Sequence, residues 1–317
     1  MKHNVKNPLS NREIYGITLC ELGEENKDIV VLDADLSKST NTYRFKEKFP
    51  ERFFNMGIAE ANMISVAAGL ATVGKIPFAS TFSVFASTRA LEQLRTSIAY
   101  PRLNVKIVAT NAGIEIGGDG ATHQAIEDIA IIRSIPNIII ISPSDPVSTE
   151  KLIRAISEYN GPVYVRLGRW PNPYIYNLNE KFEIGKAKII KEGSDLTIIS
   201  TGNMVNKCVQ ASEILNSKGI SSTVIDMLTI KPLDCDIVLE YAKKTKHIIT
   251  VEDHSIIGGL GGAVSEFLST TYPIKIKVIG IKDTFGTSGR NPEDLFNYFH
   301  INTEDIVKEA ELFLKFN

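Results

Sequence analysis

The chain has 317 residues, of which 43% are hydrophobic and 23% are charged, the composition of an ordinary globular protein. The formal net charge of -2 and the scattered basic residues exclude the electrostatic signature of a nucleic-acid-binding protein or of one bound to anionic membranes. The three cysteines, Cys20, Cys208 and Cys235, lie far apart and predict neither a disulfide framework nor a zinc site.

No secretion signal or membrane span is recognisable. Residues 1–12 are polar, and apolar runs such as 138–141 fall far short of the ~20 residues that a membrane helix needs. We therefore expect a cytoplasmic protein, since a reducing compartment suits the isolated cysteines.

Short apolar runs, rich in β-branched residues, predict strands. They are apolar throughout rather than alternating, as parallel strands covered on both faces require. The predicted strands are 29–32, 105–109, 138–141 and 163–167 in the first half, and 196–200, 222–225, 248–251 and 276–281 in the second.

Helical patterns lie between these runs. The predicted helices are 12–25, 59–72, 84–99, 123–133, 147–159, 205–218, 235–244, 261–270 and 303–314. The alternation predicts an α/β fold with two open parallel sheets. Residues 170–183 contain two prolines and three asparagines without a clear period, which is typical of a linker. We therefore predict one domain at 1–178 and a smaller one at 186–317.

Two segments of the first half suggest a site. Residues 55–62 place a glycine turn before a helix with Glu60 near its first turn. Taken alone, that position suits a glutamate that stabilises the helix dipole by ~0.3–1 kcal/mol. In residues 80–85, Phe82 and Phe85 would share a face of a helix start. Taken alone, this pair suits core packing.

A third segment, residues 117–124, is a glycine-rich loop predicted to follow a strand and to open a helix. Such a loop lets the backbone approach a ligand and offers helix-start amides to an anion. Asp119 and His123 are expected at the C-terminal edge of the sheet, where open α/β sheets bind ligands. A capped loop with a surface histidine would fit this segment equally well.

Together these segments resemble the pyrimidine-binding domain of the transketolase family, which includes 1-deoxyxylulose-5-phosphate synthase and the β subunits of 2-oxoacid dehydrogenases. SPSD at 142–145 and GPVYVRLGR at 161–169 continue the similarity. Residues 251–264 and 280–289 resemble the C-terminal domain of the same family. The resemblance implies a parallel-sheet pyrimidine-binding domain followed by a smaller transketolase C-terminal α/β domain.

The resemblance implies thiamine diphosphate as the cofactor. Glu60 matches the glutamate that bonds N1′ of the aminopyrimidine and so promotes loss of the C2 proton, a task that needs a dry, buried acid. Phe82 matches a pocket wall that stacks on the pyrimidine, and Phe85 matches a second aromatic residue. Ile58 and Asp35 match positions near the coenzyme, although Asp35 would also suit a strand-end turn.

The resemblance also implies sugar phosphates as substrates. Asp119 matches a residue that bonds a sugar hydroxyl, and His123 matches a histidine that bonds the substrate near its reacting carbons. Arg12 and Arg169 match arginines that bind the phosphate group, for which the guanidinium fork is well shaped. Arg166 is a spare candidate. For each of these arginines the alternative is a solvated surface charge.

Two positions depart from the family pattern. Thr88 stands where the family has a third aromatic residue, which predicts a more open pocket. Asn111 stands where transketolase has a phosphate-contacting histidine. We keep Asn111 as a substrate-binding candidate and expect a changed acceptor or phosphate position.

Other motifs carry less weight. Residues 118–120 begin like the metal–diphosphate motif of thiamine enzymes, but Ala-Thr-His-Gln follows, so we predict no metal ligand on this chain. The glycine loop at 258–262 could bind an anion, but we favour close packing. The neighbours Asp253, His254 and Ser255 do not define a catalytic triad.

Ligands for Mg²⁺ and the diphosphate are missing from the chain. In the family, the coenzyme lies between the pyrimidine domain of one subunit and the diphosphate domain of another. We therefore expect a separate N-terminal transketolase subunit that supplies those ligands, in a two-plus-two heterotetramer. The function expected is transfer of a two-carbon ketol unit from a ketose phosphate to an aldose, in the complex alone.

Two alternatives stay open. One is the β component of a 2-oxoacid dehydrogenase, against which stands the loop with Asp119, because a carboxylate suits a polyhydroxylated substrate. The other is a non-catalytic subunit that only binds a partner. The presence of Glu60, Asp119 and His123 in their motif contexts speaks against it.

Overall fold

The strands form two sheets in a computed structural model that describes residues 9–315. The strands are β1 Ile29–Asp33, β2 Phe53–Asn55, β3 Ile76–Phe82, β4 Lys106–Thr110, β5 Ile139–Ile141, β6 Val163–Arg166, β7 Lys188–Lys191, β8 Leu196–Ser200, β9 Ser222–Asp226, β10 Thr229–Lys231, β11 Ile248–Ser255 and β12 Ile276–Ile281. The first sheet has the order β10-β5-β6-β4-β3-β1-β2, and the second has the order β12-β11-β8-β9-β7. All neighbours pair in parallel except β10 with β5 and β7 with β9.

Helices connect the strands. The α-helices are α1 Asn11–Glu25, α2 Ser37–Thr40, α3 Tyr43–Lys48, α4 Glu60–Thr72, α5 Ser83–Thr88, α6 Leu91–Gln93, α7 Asp128–Arg133, α8 Pro146–Glu158, α9 Met204–Ser217, α10 Cys235–Thr245, α11 Leu260–Thr271, α12 Pro292–Tyr298 and α13 Thr303–Lys315. Short 3₁₀ turns occupy Pro50–Arg52 and Gly117–Asp119, and Leu94–Ala99 is π-helical. Among the described residues 9–315, no helix is long and apolar enough to cross a membrane.

Both faces of the inner parallel strands are buried, as their apolar runs predict. Successive residues of β1 point into opposite cores: Val30 and Leu32 pack with α4, whereas Ile29 and Val31 pack with α1 and α8. The second sheet is enclosed in the same way by α9, α12 and α13 on one face and by α10 and α11 on the other. The predicted fold class, with two parallel-dominated α/β sheets, is confirmed.

The predicted strands are all present, but the central strand β3 lies in a segment for which only a helix start was expected. Pro77 and the polar residues Ser80 and Thr81 interrupt its apolar pattern, and proline argues against a central strand. The structure accommodates Pro77 at the second position of the strand, close to its beginning. Strand β3 then runs between β1 and β4 and delivers Phe82 to the sheet edge.

Two helix predictions need correction. The helix predicted at 84–99 is divided into α5, α6 and the π-helical turn. The helix predicted at 123–133 begins only at Asp128, because Gly113 pairs with Ala125 in an isolated bridge and holds the preceding residues in turns. His123 therefore lies in a loop rather than at a helix start.

The two sheets are joined by a strand and a loop. Strand β10, from the second half of the sequence, pairs with Ile139–Ile141 and forms the edge of the first sheet. The loop after β12 holds the glycine-rich loop: Gln124 Nε2 donates to Thr287 O at 2.9 Å. A Cβ at Gly286 would lie 1.7 Å from Gln124 Oε1, so a larger residue there would have to displace the Gln124 side chain. The predicted limits at 178 and 186 stay a prediction, and residues 1–8 and 316–317 lie outside the described residues.

Buried carboxylates lie at the junction. Asp253 accepts hydrogen bonds from Ile114 N at 3.1 Å and Asn203 Nδ2 at 3.0 Å. Its carboxylate would lie 1.9 Å from a Cβ at Gly113, whose φ is +70°. Burial, and then the charge of Asp253, raise the pKa of nearby Glu115 from 4.5 to about 7.

The raised pKa of Glu115 predicts a pH-dependent stability. The folded state keeps Glu115 protonated where the unfolded state does not, so this contribution is present below about pH 4.5 and is lost as pH rises through about 7. Glu115→Gln should remove that loss. We expect the variant to exceed the parent protein by about 1–3 kcal/mol in free energy of unfolding at pH 8, and to match it near pH 5. Urea unfolding at both pH values measures this. A difference between variant and parent that is the same at pH 5 and pH 8 would contradict it.

Candidate active site

Glu60 is the buried acid of the site. A turn with Gly57 in the left-handed region leads into α4, and Glu60 is its first residue, only 3% exposed. Its Oε1 accepts a hydrogen bond from Arg89 Nη1 at 3.1 Å. The structure thus gives Glu60 the dry surroundings that the sequence predicts for it.

Three rings form a cluster that Arg89 links to this acid. Phe82 ends β3 and Phe85 lies in α5, and their ring centroids are 5.9 Å apart. The His123 ring meets both edge-on, with centroids 6.2 Å from Phe82 and 5.4 Å from Phe85. The guanidinium carbon of Arg89 lies 3.9 Å from the centroid of Phe85, so Arg89 connects these rings to Glu60.

A second group of polar residues adjoins the rings through Ile116. The Ile116 side chain packs on Phe82 and Phe85, and its carbonyl accepts from Arg169 Nη1 at 2.7 Å. The same Nη1 lies 3.5 Å from Asp119 Oδ2. Asp119 and Arg169 are both partly exposed, so their polar atoms remain available to a ligand.

Four cations line one cleft of about 440 Å³: Arg12, Lys38, Arg44 and Arg169. One acid, Glu13, also lines it, and its carboxylate accepts a hydrogen bond from Ser10 N at 2.8 Å. Burial, and then the positive charge of Arg169, lower the pKa of Arg12. The Nε atoms of Arg12 and Arg44 are buried without a hydrogen-bond partner in residues 9–315. An anion in this cleft would relieve the repulsion between the cations, so the cleft suits a phosphate group.

Arg166 is not part of this cleft. It is 5% exposed, and its Nε lies 3.0 Å from Oδ2 of the fully buried Asp128. Its Nη2 donates to Ala125 O and to Asp253 O. The hypothesis that Arg166 is a spare phosphate ligand is therefore wrong, because its charge and its donors are committed to holding the two sheets together.

Asp35 and Ile58 are both exposed to solvent. Asp35 follows β1 with a φ of +64° and accepts from Asn55 Nδ2 at 2.9 Å, so it does form a strand-end turn. Ile58 is 76% exposed. Both side chains are therefore open to solvent in the described structure.

The two departures from the family pattern occupy different surroundings. Asn111 follows β4 with a φ of +57°, is 2% exposed, and has a side-chain Oδ1 without a hydrogen-bond partner among residues 9–315. Such an orphan acceptor suits a ligand or water at the sheet edge. Thr88 is exposed and donates to Val84 O in its own helix, so it closes no side of the pocket.

Sequence reasoning missed Arg89, Lys38 and Arg44. Lys38 and Arg44 lie in short helices and Arg89 directly follows one, and none of them belongs to a recognisable motif. Arg89 follows Phe85 by four positions, which is one helical turn, and this spacing was the only available signal. Tertiary packing alone brings Lys38 and Arg44 to Arg12 and Arg169.

The glycine loop at 258–262 is closely packed. Glu252 is buried, and its carboxylate accepts from Leu260 N at 2.7 Å and from Gly261 N at 2.8 Å. These bonds occupy the amides at the start of α11 that an anion would need. The structure thus agrees with the interpretation of this loop as packing.

The donor set fits the aminopyrimidine half of thiamine. A buried carboxylate can share a proton with a ring nitrogen, and aromatic faces next to it can stack on a flat heterocycle. For the other half of the coenzyme, residues 9–315 contain no group of three or more His, Cys, Asp or Glu side chains that could hold a metal ion.

Comparisons with known proteins agree with this geometry. Residues 7–171 match the family model "Transketolase, pyrimidine binding domain", and residues 185–306 match "Transketolase, C-terminal domain". A "Putative transketolase C-terminal section" from Methanocaldococcus jannaschii is 55% identical over 94% of both chains. The "6-deoxy-6-sulfo-D-fructose transketolase subunit SqwH" of a Clostridium species is 40% identical, covering 94% of this chain and 92% of its own.

A solved structure described as "Split gene transketolase, inactive beta4 tetramer" is similar over 98% of this chain and 99% of its own, at 47% identity and a TM-score of 0.89. Human transketolase is 36% identical, and the match covers only 49% of its length. The chain therefore belongs to the transketolase family. Within that family it is a C-terminal section, the counterpart of the C-terminal chain of a split transketolase.

Proposed function

We propose that this chain is the C-terminal subunit of a split transketolase that binds thiamine diphosphate jointly with an N-terminal subunit. The observation that carries the proposal is the buried carboxylate of Glu60, which Arg89 connects to Phe85 and through it to His123. Co-expression with the N-terminal subunit, then assay with thiamine diphosphate, Mg²⁺ and a panel of phosphorylated ketoses, is the test. We expect turnover by the complex only, and full activity of this chain alone would contradict the proposal.

Each site residue has a role in this proposal. When bound, thiamine diphosphate supplies the nucleophilic carbon and the electron sink for transfer of a two-carbon ketol unit. Glu60 shares a proton with N1′ of the pyrimidine. Phe82 and Phe85 exclude water, which strengthens that hydrogen bond. His123 stands against both rings and donates to a substrate oxygen on which charge develops.

Asp119 and the cleft of four cations would bind the rest of the substrate. Asp119 accepts from a sugar hydroxyl, which discriminates against analogues that lack it. Arg12 and Arg169 bind the phosphate, with Lys38 and Arg44 beside them. Asn111 offers its free Oδ1 at the same sheet edge. The substrate class is therefore a phosphorylated, polyhydroxylated ketose or aldose.

Arg12→Met tests the phosphate role. Loss of a charged hydrogen-bonding partner should lower kcat/KM for a phosphorylated ketose by about 10- to 100-fold, and should leave the unphosphorylated analogue nearly unaffected. Lys38→Met should act in the same direction but more weakly, because Lys38 is more exposed. Steady-state kinetics with the substrate pair measures this. Lys27→Met, an exposed lysine outside the cleft, is the control, and equal losses on both substrates would refute the role.

The partner supplies what this chain lacks in the proposal. We propose that the N-terminal subunit provides the diphosphate contacts and the Mg²⁺ ligands, in a two-plus-two heterotetramer, with Ile58 and Asp35 facing it. Two relatives of similar length, named as a transketolase C-terminal section and a transketolase subunit, support a separate N-terminal subunit. The free cysteines Cys20, Cys208 and Cys235 suit the reducing cytoplasm.

A further inference from the structure

Arg89 makes two contacts at once at the centre of the site. Its Nη1 lies 3.1 Å from Glu60 Oε1, and its guanidinium carbon lies 3.9 Å from the centroid of the Phe85 ring. Arg89 is the only charged partner that the described structure shows for Glu60. A single planar, hydrogen-bonding cation thus engages both the acid and an aromatic face.

In the proposed function, a different group has to make these same two contacts, with Glu60 and with Phe85. There, a flat heterocycle stacks in the pocket of Phe82 and Phe85 and places a ring nitrogen at Glu60. One face of Phe85 lies towards Phe82, in near-parallel, offset stacking at an interplanar angle of 17°. Arg89 also covers Phe85 and holds Glu60, so the guanidinium and the pyrimidine compete for the same positions.

We infer that Arg89 is a displaceable placeholder: it holds Glu60 and covers Phe85 in the free chain, and the incoming pyrimidine of the coenzyme replaces it at both. This inference rests on the proposed function. Burial makes a partner necessary, because a carboxylate that is 3% exposed costs free energy when it is unpaired. Arg89 is a positioning residue, since it acts through Glu60 and does not touch the reacting atoms.

The surroundings of Arg89 permit this displacement. Its side chain is 50% exposed, so one end of the ion pair already lies in solvent. It follows the last residue of α5, where the helical segment breaks before α6. The neighbouring Thr88 is small and bonds to its own helix, so Thr88 does not block the outward movement of the guanidinium.

The test uses the two-chain complex freed of coenzyme. Titration calorimetry with thiamine diphosphate and Mg²⁺ gives Kd, and thermal unfolding with and without coenzyme gives the shift in Tm. Arg89→Met should bind the coenzyme about three- to tenfold more tightly, because no ion pair or cation–π contact has to be broken. Arg95→Met, an exposed arginine in the following helical turn, is the control and should match the parent complex.

The change in Tm separates a placeholder from a merely structural residue. Arg89→Met should lower Tm without coenzyme, since Glu60 loses its partner, but not with coenzyme, so the ligand-induced rise becomes larger. A structural role would lower both values equally. Coenzyme binding that is unchanged or weaker in Arg89→Met overturns this inference alone. Absence of coenzyme binding by the parent complex overturns the proposed function and this inference with it.

Discussion

Glu60→Gln in the two-chain complex should slow exchange of the C2 proton of thiamine diphosphate by about 10²- to 10⁴-fold, the usual contribution of a positioned acid or base. Glutamine has nearly the shape of glutamate, but its amide cannot exchange a proton with N1′ of the pyrimidine as a carboxyl group can. The carboxylate is 3% exposed at the start of α4, so water cannot easily substitute for it. Quenched-flow exchange into deuterated water, read by proton NMR, measures the rate.

The control for this experiment is Glu304→Gln. Glu304 also lies in the first turn of a helix, α13, but it is exposed and belongs to the second half of the chain. It should leave exchange unchanged. Size-exclusion chromatography should show the same complex for both variants. If Glu60→Gln exchanged the proton at the parental rate in an intact complex, another residue would have to activate the coenzyme.

Arg166→Met should destabilise the chain by about 3–5 kcal/mol, because it leaves Asp128 as an unpaired buried charge. The guanidinium also donates to Ala125 O at 3.2 Å and to Asp253 O at 2.8 Å, so the variant loses bonds within the first half and bonds to the second. Tyr164 OH, which donates to Asp128 at 3.0 Å, cannot neutralise the charge. Urea unfolding measures the loss, as a lower midpoint.

A surface ion pair provides the matched comparison. Arg154 pairs with Glu21 and Glu25 but is more exposed than Arg166, so Arg154→Met should cost about 0–1 kcal/mol. Adding Asp128→Asn to Arg166→Met should recover part of the stability, because the orphan charge is removed. An Arg166→Met variant as stable as Arg154→Met would show that the buried pair contributes nothing.

Most of the fold could be predicted because buried parallel strands have a simple sequence pattern, a short run of apolar residues. The runs that became β8 and β12 match their predicted bounds, since both are short and rich in isoleucine, and β8 is also enclosed on both faces. Strand β10 does not have this pattern. Its three residues are held by pairing with β5, far earlier in the chain, which no local pattern reveals.

The site was predictable as far as its residues belong to motifs. Glu60, Phe82, Phe85 and His123 were expected to share a pocket, and the structure brings the three rings together, with Arg89 linking them to the acid. The expectation for Arg166 failed because sequence cannot distinguish a buried cation with a buried partner from one that awaits a ligand. Asp128, the partner that decides the matter, is an ordinary helix-start acid when read locally.

The strand β10 has a consequence for where a gene of this family can be divided. A further cut between the two halves of this chain would remove the antiparallel neighbour of β5. Ile139–Ile141 would then be an unpaired, apolar edge strand that is prone to aggregation. The same cut would also release the loop of His123 from Thr287, whose carbonyl accepts a hydrogen bond from Gln124. We therefore expect the two halves to be stable only on one polypeptide, because their separation would break a shared sheet.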